Sequence, residues 1–274
     1  MNYRHAFHAG NHADVFKHAA LVLLLEHLRA KPQPFAVLDT HAGLGVYDLT
    51  SDEARRSPEY QDGVARVSGR ELVSAPTYSR LVAEMNPDRL KTYPGSPEIV
   101  RRLLRQDDRL IACELHPEDA AVLKARYRRD PRIAVHHRDG YEAMGALLPP
   151  PERRGLVLID SPFEQTDEAE RLMQVLTSGL KRWPTGIFAA WYPIKDRKIS
   201  AALAGAADET PFPKALRAEF SPFLWEEKGL PGSGLLVCNA PWKLDVKLAA
   251  LCAELSGLLG AGNASWSVDQ LTPA

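Results

Sequence analysis

Four apolar segments, each with an acidic residue where a strand would end, constrain the fold of this chain more than any other feature. They are FAVLD (35–39), RLIACELHPED (109–119), RIAVHHRDGYEAM (132–144) and GLVLIDSPFEQ (155–165). Helical patterns lie between them, at Pro97–Arg105 and Pro117–Arg129. Strands that alternate with helices predict an α/β fold with a parallel sheet.

Three further apolar runs bring the predicted sheet to seven strands. GIFAAWYPI (186–194) continues the parallel series, whereas LRAEFSPF (216–223) and GSGLLVCNAP (232–241) predict an antiparallel hairpin at a sheet edge. Near the start of the chain, a helical pattern has its N-cap at Asn11 or Asp14.

The acidic strand ends are regularly spaced except at one place. Glu114, Asp139 and Asp160 follow one another at 25 and 21 residues, which suits one βαβ step each. Asp39 lies 75 residues before Glu114. The excess, residues 48–92, has a helical pattern around 79–90 and predicts a small inserted helical subdomain within one domain that spans residues 1–274.

Composition excludes several classes of protein. Of 274 residues, 45% are hydrophobic and 25% are charged, which is typical of a globular chain and not of a disordered one. The 34 Lys and Arg against 35 Asp and Glu exclude a polycation that coats nucleic acid by charge alone. Three cysteines without CxxC spacing fit a reducing compartment, and the apolar run Ala19–Leu25 is too short to span a membrane. We therefore expect a cytoplasmic protein.

The turn DTHAGLGVY (39–47) predicts a cofactor site. It lacks the third glycine of a dinucleotide fingerprint and the GK[ST] of a P-loop, and alone it is equally an ordinary strand-to-helix turn. Ligands of open parallel sheets lie beyond the carboxyl ends of the strands, where the four acidic residues are placed. There Glu114 can accept from ribose hydroxyls, and Asp139, beside Gly140, from an adenine amino group. This set favours S-adenosylmethionine over NAD or ATP.

The tetrapeptide Asp160–Ser161–Pro162–Phe163 predicts the chemistry, because it resembles the D-P-P-Y signature of amino-methyltransferases. An exocyclic amino group is a poor nucleophile, since its lone pair is delocalised into the ring. The Asp160 carboxylate and the carbonyl of residue 161 can hold its two hydrogens, and Asp160 can accept the proton. Pro162 stiffens the turn and Phe163 offers a face for a flipped base. Such a tetrapeptide also occurs by chance in strand-to-loop turns.

Five motifs together resemble one family over essentially the whole chain. They are YRHAFHAGNHADVFKH (3–18), LDTHAG (38–43), YPGSP (93–97), ELHP (114–117) and PWKL (241–244). The family is that of the RlmJ-type methyltransferases, which modify the N6 amino group of adenine 2030 in 23S ribosomal RNA. The resemblance implies a Rossmann-like class I S-adenosylmethionine-dependent methyltransferase fold with a helical insertion. It also implies a substrate of RNA not yet covered by ribosomal protein, and no metal; we expect a monomer.

The resemblance also implies roles for individual residues. Asp160 matches the catalytic acid, Tyr3 matches a tyrosine that contacts the substrate nucleotide, and Lys17 lies in the same N-terminal motif, residues 1–18. Ser161 stands where the family has proline, which leaves the backbone carbonyl in place, and Phe163 replaces tyrosine. The positions that match contacts to the methyl donor are His18, His41, Ser96, Glu114, Asp139, Gly140 and Asp160.

Other interpretations remain open. A DNA adenine-N6 methyltransferase would use the same chemistry, although no helix-turn-helix is recognisable, and a non-catalytic RNA-binding protein could keep the cofactor as a structural ligand. Residues 101–138 hold ten Lys and Arg against six Asp and Glu, which indicates either an RNA-binding surface or solvated helix faces. His5, His8 and His12 have helical spacing that suits a metal, but Gly10 interrupts it, which favours packing, hydrogen bonds or RNA contacts. Trp191 is expected to pack beneath the active-site strand, although it could form a wall of the base pocket.

Overall fold

The structure is a computed structural model that describes residues 4–165, 167–194, 205, 212–223, 230–260 and 262–271. Its strands are β1 Ala36–Asp39, β2 Val46–Asp48, β3 Thr92–Pro94, β4 Arg109–Glu114, β5 Ile133–His137, β6 Gly155–Ile159, β7 Ile187–Ile194, β8 Leu216–Ser221, β9 Gly232–Cys238 and β10 Ser265–Gln270. Its helices are α1 His12–Arg29, α2 Asp52–Arg56, α3 Val64–Val67, α4 Pro76–Met85, α5 Ser96–Leu103, α6 Pro117–Tyr127, α7 Gly140–Leu147, α8 Glu168–Arg182 and α9 Leu244–Leu259.

The main sheet is mostly parallel, as predicted. Its strand order is β10–β8–β9–β7–β6–β1–β4–β5. The pairings from β5 to β7 are parallel, and those that join β7, β9, β8 and β10 are antiparallel. Parallel strands of similar length, joined through helices, bring their carboxyl ends to one edge of the sheet.

The sheet has eight strands in the described residues, not the seven predicted. The additional strand, β10, pairs with β8 in the register Trp266↔Phe220. Its sequence, SWSVDQ, is too polar to be recognised as a buried strand, because β10 is an edge strand with only one face packed. The antiparallel pairing of β8 with β9 is as predicted, but its position at the edge is wrong, since β10 lies beyond β8.

The core consists of two apolar layers, one on each face of the sheet. In β1, Val37 packs into the layer that includes α1 and α9, whereas Leu38 packs into the layer that includes α7 and α8. This alternation is what a strand buried on both faces requires. The N-cap of α1 is Asn11, whose side chain accepts from the backbone N–H of Asp14 at 2.9 Å.

The residues between β1 and β4 add further elements beside α1, which share the apolar core on that face of the sheet. β2 and β3 pair with each other as a two-stranded antiparallel sheet, and α2, α3 and α4 lie between them in sequence. The Thr77 hydroxyl of α4 donates to Glu26 of α1 at 2.6 Å. The helix predicted around 79–90 lies at Pro76–Met85, because Pro76 is favourable in its first turn and Asn86 closes the loop that follows. In the described ranges we find no helix with the length and apolar character that crossing a membrane requires.

Candidate active site

A cavity of about 750 Å³ opens at the carboxyl ends of the parallel strands. This is where an open α/β sheet binds its ligands. Asp139 and Gly140 do not line this cavity, and Tyr3 lies outside the described residues. The other site residues predicted from the sequence line it, namely Lys17, His18, His41, Ser96, Glu114, Asp160, Ser161, Pro162 and Phe163.

Three charged side chains form a buried row at the floor of the cavity. The Lys17 ammonium lies between two carboxylates, 2.5 Å from Asp160 Oδ2 and 2.8 Å from Asp14 Oδ1. The second oxygen of Asp14 accepts from the backbone N–H of Gly10 at 2.8 Å and contacts His5 Nε2 at 2.9 Å. Asp14 is thus bound on both oxygens, and it ties the N-terminal segment to the row.

Both members of the Asp14–Lys17 pair are ionised. Burial by itself lowers the pKa of Lys17, but the carboxylates of Asp14 and Asp160 outweigh it and raise that pKa above its ordinary value. Burial by itself raises the pKa of Asp14, but His5 and Lys17 outweigh it and hold that pKa well below the ordinary value. A buried charge needs such partners.

The pair with Lys17 orients the Asp160 carboxylate. Oδ2 is held by the ammonium, whereas Oδ1 makes no hydrogen bond to a described residue and is not sealed from the cavity. The Asp160 side chain is 15% exposed. The site therefore presents one fixed carboxylate oxygen, ready to accept a hydrogen bond.

Aromatic side chains stand beside this oxygen. Phe163 has a φ of 50°, a left-handed conformation that is uncommon for a bulky residue and is maintained by the structure around it. Its ring meets Trp191 edge-on, with centroids 6.1 Å apart, and Lys17 Nζ lies 5.7 Å from the centre of the Trp191 ring. Trp191 packs against the core as expected and also lines the cavity, which was the alternative.

Glu114 is held on both oxygens by backbone amides. The N–H of Gly43 donates to Oε2 at 2.8 Å, and that of His116 donates to Oε1 at 2.7 Å. Gly43 has a φ of 59°, and a Cβ at this position would collide with the Tyr47 hydroxyl. The turn after β1 therefore requires glycine here in order to fix the carboxylate at the end of β4.

Asp139 has a local role in the structure. Its Oδ1 accepts from the backbone N–H groups of Tyr141 and Glu142, at 2.8 and 3.1 Å, and so caps α7. A Cβ on Gly140 would collide with the backbone carbonyl of Thr40. The start of α7 is thus packed directly against the turn that follows β1, which places both residues next to the cavity rather than in its wall.

Asp39 is the least satisfied polar group near the cavity. It is fully buried, and neither carboxylate oxygen makes a hydrogen bond of standard geometry to a described residue, although the Ser96 side chain and the His41 backbone N–H lie close enough to lower its pKa. Burial raises its pKa to about 7. Such a carboxylate would be stabilised by a cation placed beside it.

We expect Asp39→Asn to change the pH dependence of folding. Because the folded-state pKa is raised, the favourable contribution of the protonated group is present below pH 4 and is lost as pH rises to about 7. At about 1.4 kcal/mol per pKa unit, the loss is on the order of 4 kcal/mol. The stability of Asp39→Asn relative to the natural chain should therefore be greater at pH 8 than at pH 5, as measured by urea unfolding.

Asp52→Asn is the matched control, since that side chain is 80% exposed. Its stability should follow that of the natural chain at both pH values. If the stability of Asp39→Asn relative to the natural chain is the same at pH 5 and pH 8, the prediction is wrong and Asp39 is ionised and paired.

These residues fit S-adenosylmethionine. The fixed Glu114 carboxylate lines the cavity and suits ribose hydroxyls. Burial lowers the pKa of His18 to about 3 and also lowers that of His41, so both imidazoles are neutral. A cavity of about 750 Å³ is within the range of sites for ligands of this size.

Sequence reasoning missed the role of Asp14, which was considered only as a helix cap. The available signal was its position three residues before Lys17, a spacing that brings two helical side chains together. The three N-terminal histidines have separate partners: His5 contacts Asp14, His8 contacts Glu59 at 2.8 Å, and His12 contacts the carbonyl of Leu230 at 3.0 Å.

Several arginines of residues 101–138 are in ion pairs. Arg101 and Arg102 bind Glu98 at 2.7 and 2.8 Å. Further pairs are Arg105 with Asp108, Arg109 with Glu152 and Arg132 with Asp130. These contacts support a structural role for this part of the basic region; whether the region also contacts RNA stays a prediction.

Comparisons with known proteins agree with the fold and show the family. Residues 32–272 match a family model described as "RsmJ: Ribosomal RNA large subunit methyltransferase D, RlmJ". Ribosomal RNA large subunit methyltransferase J of Escherichia coli strain K12 is 39% identical, and that of Haemophilus influenzae is 37% identical. Each comparison covers 100% of this chain and 99% of the relative.

Solved structures give the same picture. A crystal structure of a Legionella pneumophila protein from family DUF519 has a TM-score of 0.89 and 31% identity, and the match covers 96% of this chain and 98% of that one. A probable spermidine synthase from Corynebacterium glutamicum has a TM-score of 0.51 at 14% identity, over 93% of this chain and 75% of that one, which shows the fold alone.

The sheet and the acidic residues at its strand ends define a class I S-adenosylmethionine-dependent methyltransferase. The full-length matches are more specific than the fold. This chain belongs to the family of ribosomal RNA large subunit methyltransferase J. The resemblance predicted from its motifs is confirmed.

Proposed function

We propose that this protein methylates the N6 amino group of one adenine in 23S ribosomal RNA. The observation that carries the proposal is the fixed Asp160 carboxylate, with Oδ1 open to the cavity beside Phe163 and Trp191. An acceptor beside an aromatic wall suits an exocyclic amino group on a flipped base. The names of the E. coli and H. influenzae relatives support a ribosomal RNA substrate.

Asp160 acts on the amino group. Its Oδ1 accepts one N–H of the adenine, and the backbone carbonyl of Ser161 accepts the other, which localises the nitrogen lone pair in the direction of attack. The Lys17 ammonium holds Oδ2, so the carboxylate does not rotate away when the base enters. As the new bond forms, Asp160 takes the proton that the amino group loses.

S-adenosylmethionine supplies the electrophilic methyl group when bound. We assign its binding to the residues at the strand ends. Glu114 would accept from the ribose, and we assign Asp139 and Gly140 to the adenine on the family resemblance, although neither lines the cavity. The remaining residues in the set are His18, His41, Ser96 and Asp160.

The substrate base binds on the other side of Asp160. Pro162 and Phe163 provide one wall and Trp191 another, and base–aromatic stacking contributes about 1–3 kcal/mol per base. Lys17 adds positive charge at the floor. Tyr3, outside the described residues, is assigned to the same substrate by the family resemblance.

The wider assignments rest on the sequence and the family. We assign the chain to a single methyltransferase domain, in which residues 1–18 contact substrate and cofactor and residues 48–92 form the helical subdomain. We further propose a cytoplasmic, metal-free monomer that acts on protein-free 23S ribosomal RNA or an early assembly intermediate.

The test is incubation with labelled S-adenosylmethionine and either protein-free 23S ribosomal RNA or duplex DNA, followed by digestion to nucleosides. We expect label in N6-methyladenosine from RNA alone. Label in N6-methyladenosine from DNA alone would support the assignment of the active site but contradict the assignment of RNA as the substrate. If neither is labelled although S-adenosylhomocysteine binds, the protein retains the cofactor without catalysing the transfer.

We expect Ser161→Pro to change turnover less than about threefold. The Ser161 N–H donates no hydrogen bond to a described residue outside helices and strands, and its buried hydroxyl lies near the Tyr141 side chain without a hydrogen bond of standard geometry. Proline therefore removes little, and it stabilises the folded chain by about 0.4–1 kcal/mol if the geometry is kept. Turnover and urea unfolding measure the two effects. A large gain in turnover would show that the natural serine impairs the site.

A further inference from the structure

A chain of three buried polar groups lies behind the cavity and ends at His18. The Tyr93 hydroxyl, from the YPGSP motif, is 2.9 Å from His18 Nδ1. The Tyr78 hydroxyl, from α4, is 3.1 Å from that of Tyr93. Both tyrosines are 0% exposed and His18 is 2% exposed, so water does not reach the hydroxyls.

One nitrogen of the His18 imidazole belongs to this row of hydrogen-bonded side chains, and the other faces the cavity. Nδ1 meets Tyr93, whereas Nε2 makes no hydrogen bond to a described residue and is not sealed from the cavity that His18 lines. A neutral imidazole carries one proton, and the hydrogen bond at one nitrogen decides which nitrogen holds it. The two hydrogen-bonded tyrosines behind His18 thus determine whether Nε2 is a donor or an acceptor.

Only one arrangement of protons satisfies both buried hydroxyls. Tyr78 is the end of the chain, and its sole partner in the described structure is Tyr93, so its proton must point at Tyr93. The proton of Tyr93 then needs an acceptor, and His18 Nδ1 is the one available. If Nδ1 carried the proton instead, one buried hydroxyl would have no acceptor, which is unfavourable. Nδ1 is therefore the acceptor and Nε2 holds the proton.

We propose that Tyr93, backed by Tyr78, is a positioning residue that holds His18 with its Nε2–H directed at the cavity, as a donor for the carboxylate of the methyl donor. The proposal rests on the assignment of His18 to the cofactor. Among the groups of S-adenosylmethionine, the α-carboxylate is the anionic acceptor that an N–H donor suits. Tyr78 lies in the segment inserted between β1 and β4, so that segment supports the cofactor site from behind.

The test combines a spectroscopic signature with binding. In the natural chain, two-bond ¹H–¹⁵N correlations of the imidazole should show the Nε2–H tautomer with a hydrogen-bonded Nδ1. In Tyr93→Phe the Nδ1 resonance should move to that of a nitrogen without a hydrogen bond. Binding of S-adenosylhomocysteine, which has the carboxylate, should weaken about tenfold, as for the loss of one buried hydrogen bond. Binding of 5′-methylthioadenosine, which lacks the carboxylate, should stay unchanged and also reports that the variant is folded.

Two further variants sharpen the result. Tyr78→Phe should keep the Nε2–H tautomer and weaken S-adenosylhomocysteine binding only about twofold, because Tyr93 still donates but loses the bond that polarises it. Tyr127→Phe removes another buried tyrosine hydroxyl, one that donates to Glu98; neither residue lines the cavity, and the variant should change neither readout. An Nδ1–H tautomer in the natural chain, or equal weakening for both ligands in Tyr93→Phe, would overturn the proposal. No RNA is used, so failure of the proposed RNA substrate is a separate result.

Discussion

Asp160→Asn is expected to lose methyl transfer by about 10²- to 10⁴-fold, the range typical of a missing acid–base group. The amide oxygen can still accept one hydrogen bond, but the side chain no longer takes a proton and no longer pairs electrostatically with the Lys17 ammonium. The measurement is the single-turnover rate of label transfer to 23S ribosomal RNA. Binding of S-adenosylhomocysteine should change only a few-fold, because Glu114 and the strand ends remain.

Asp167→Asn is the control for this variant. Asp167 is exposed, lies in the same loop and makes no capping hydrogen bond to α8. It should transfer methyl groups at the rate of the natural chain. Full activity in Asp160→Asn would show that the carboxylate is not the acceptor, and equal loss in both variants would point to the loop rather than to Asp160.

Lys17→Met is expected to destabilise the folded chain by about 3–5 kcal/mol, the cost of removing one partner from a buried ion pair. The Asp14 side chain is 1% exposed and would lose the ammonium 2.8 Å away. Urea unfolding at pH 8 measures the effect. The loss should be smaller at pH 5, because a buried carboxylate without its cation is more readily neutralised by protonation.

The double variant Asp14→Asn/Lys17→Met tests whether the unpaired Asp14 carboxylate causes the loss of stability in Lys17→Met. It removes the charge that Lys17→Met leaves behind, so it should recover part of the lost stability, and the difference is the coupling between the two residues. Lys247→Met, on the exposed face of α9, should change stability by less than about 0.5 kcal/mol. If Lys17→Met is no more destabilising than Lys247→Met, the buried row does not contribute to stability as described.

Local patterns in the sequence were sufficient for the parallel half of the sheet. A parallel strand is buried on both faces, so its residues form a continuous apolar run. A polar residue follows where the chain leaves the sheet and turns, as at Asp39 and Glu114. Local sequence patterns were insufficient at the edge of the sheet, because β10 is half-solvated and its hydrophobic pattern is weak. The family was recognised from three motifs, because each matches the family pattern at specific positions. They are the N-terminal motif, the DTHAG turn and YPGSP.

The sequence by itself determined the fold class, the candidate acid at Asp160 and the residues expected around the cofactor. Only the tertiary structure decided how those residues pair. Asp14 meets Lys17 through one turn of helix, but Lys17 meets Asp160 across 143 residues. Tyr93 contacts both His18 and Tyr78, and these three residues come from three separate elements. Such contacts depend on the packing of α1 and the inserted helices against the sheet. Hydrogen-bond partners over these separations follow from that packing, and no local period or spacing encodes them.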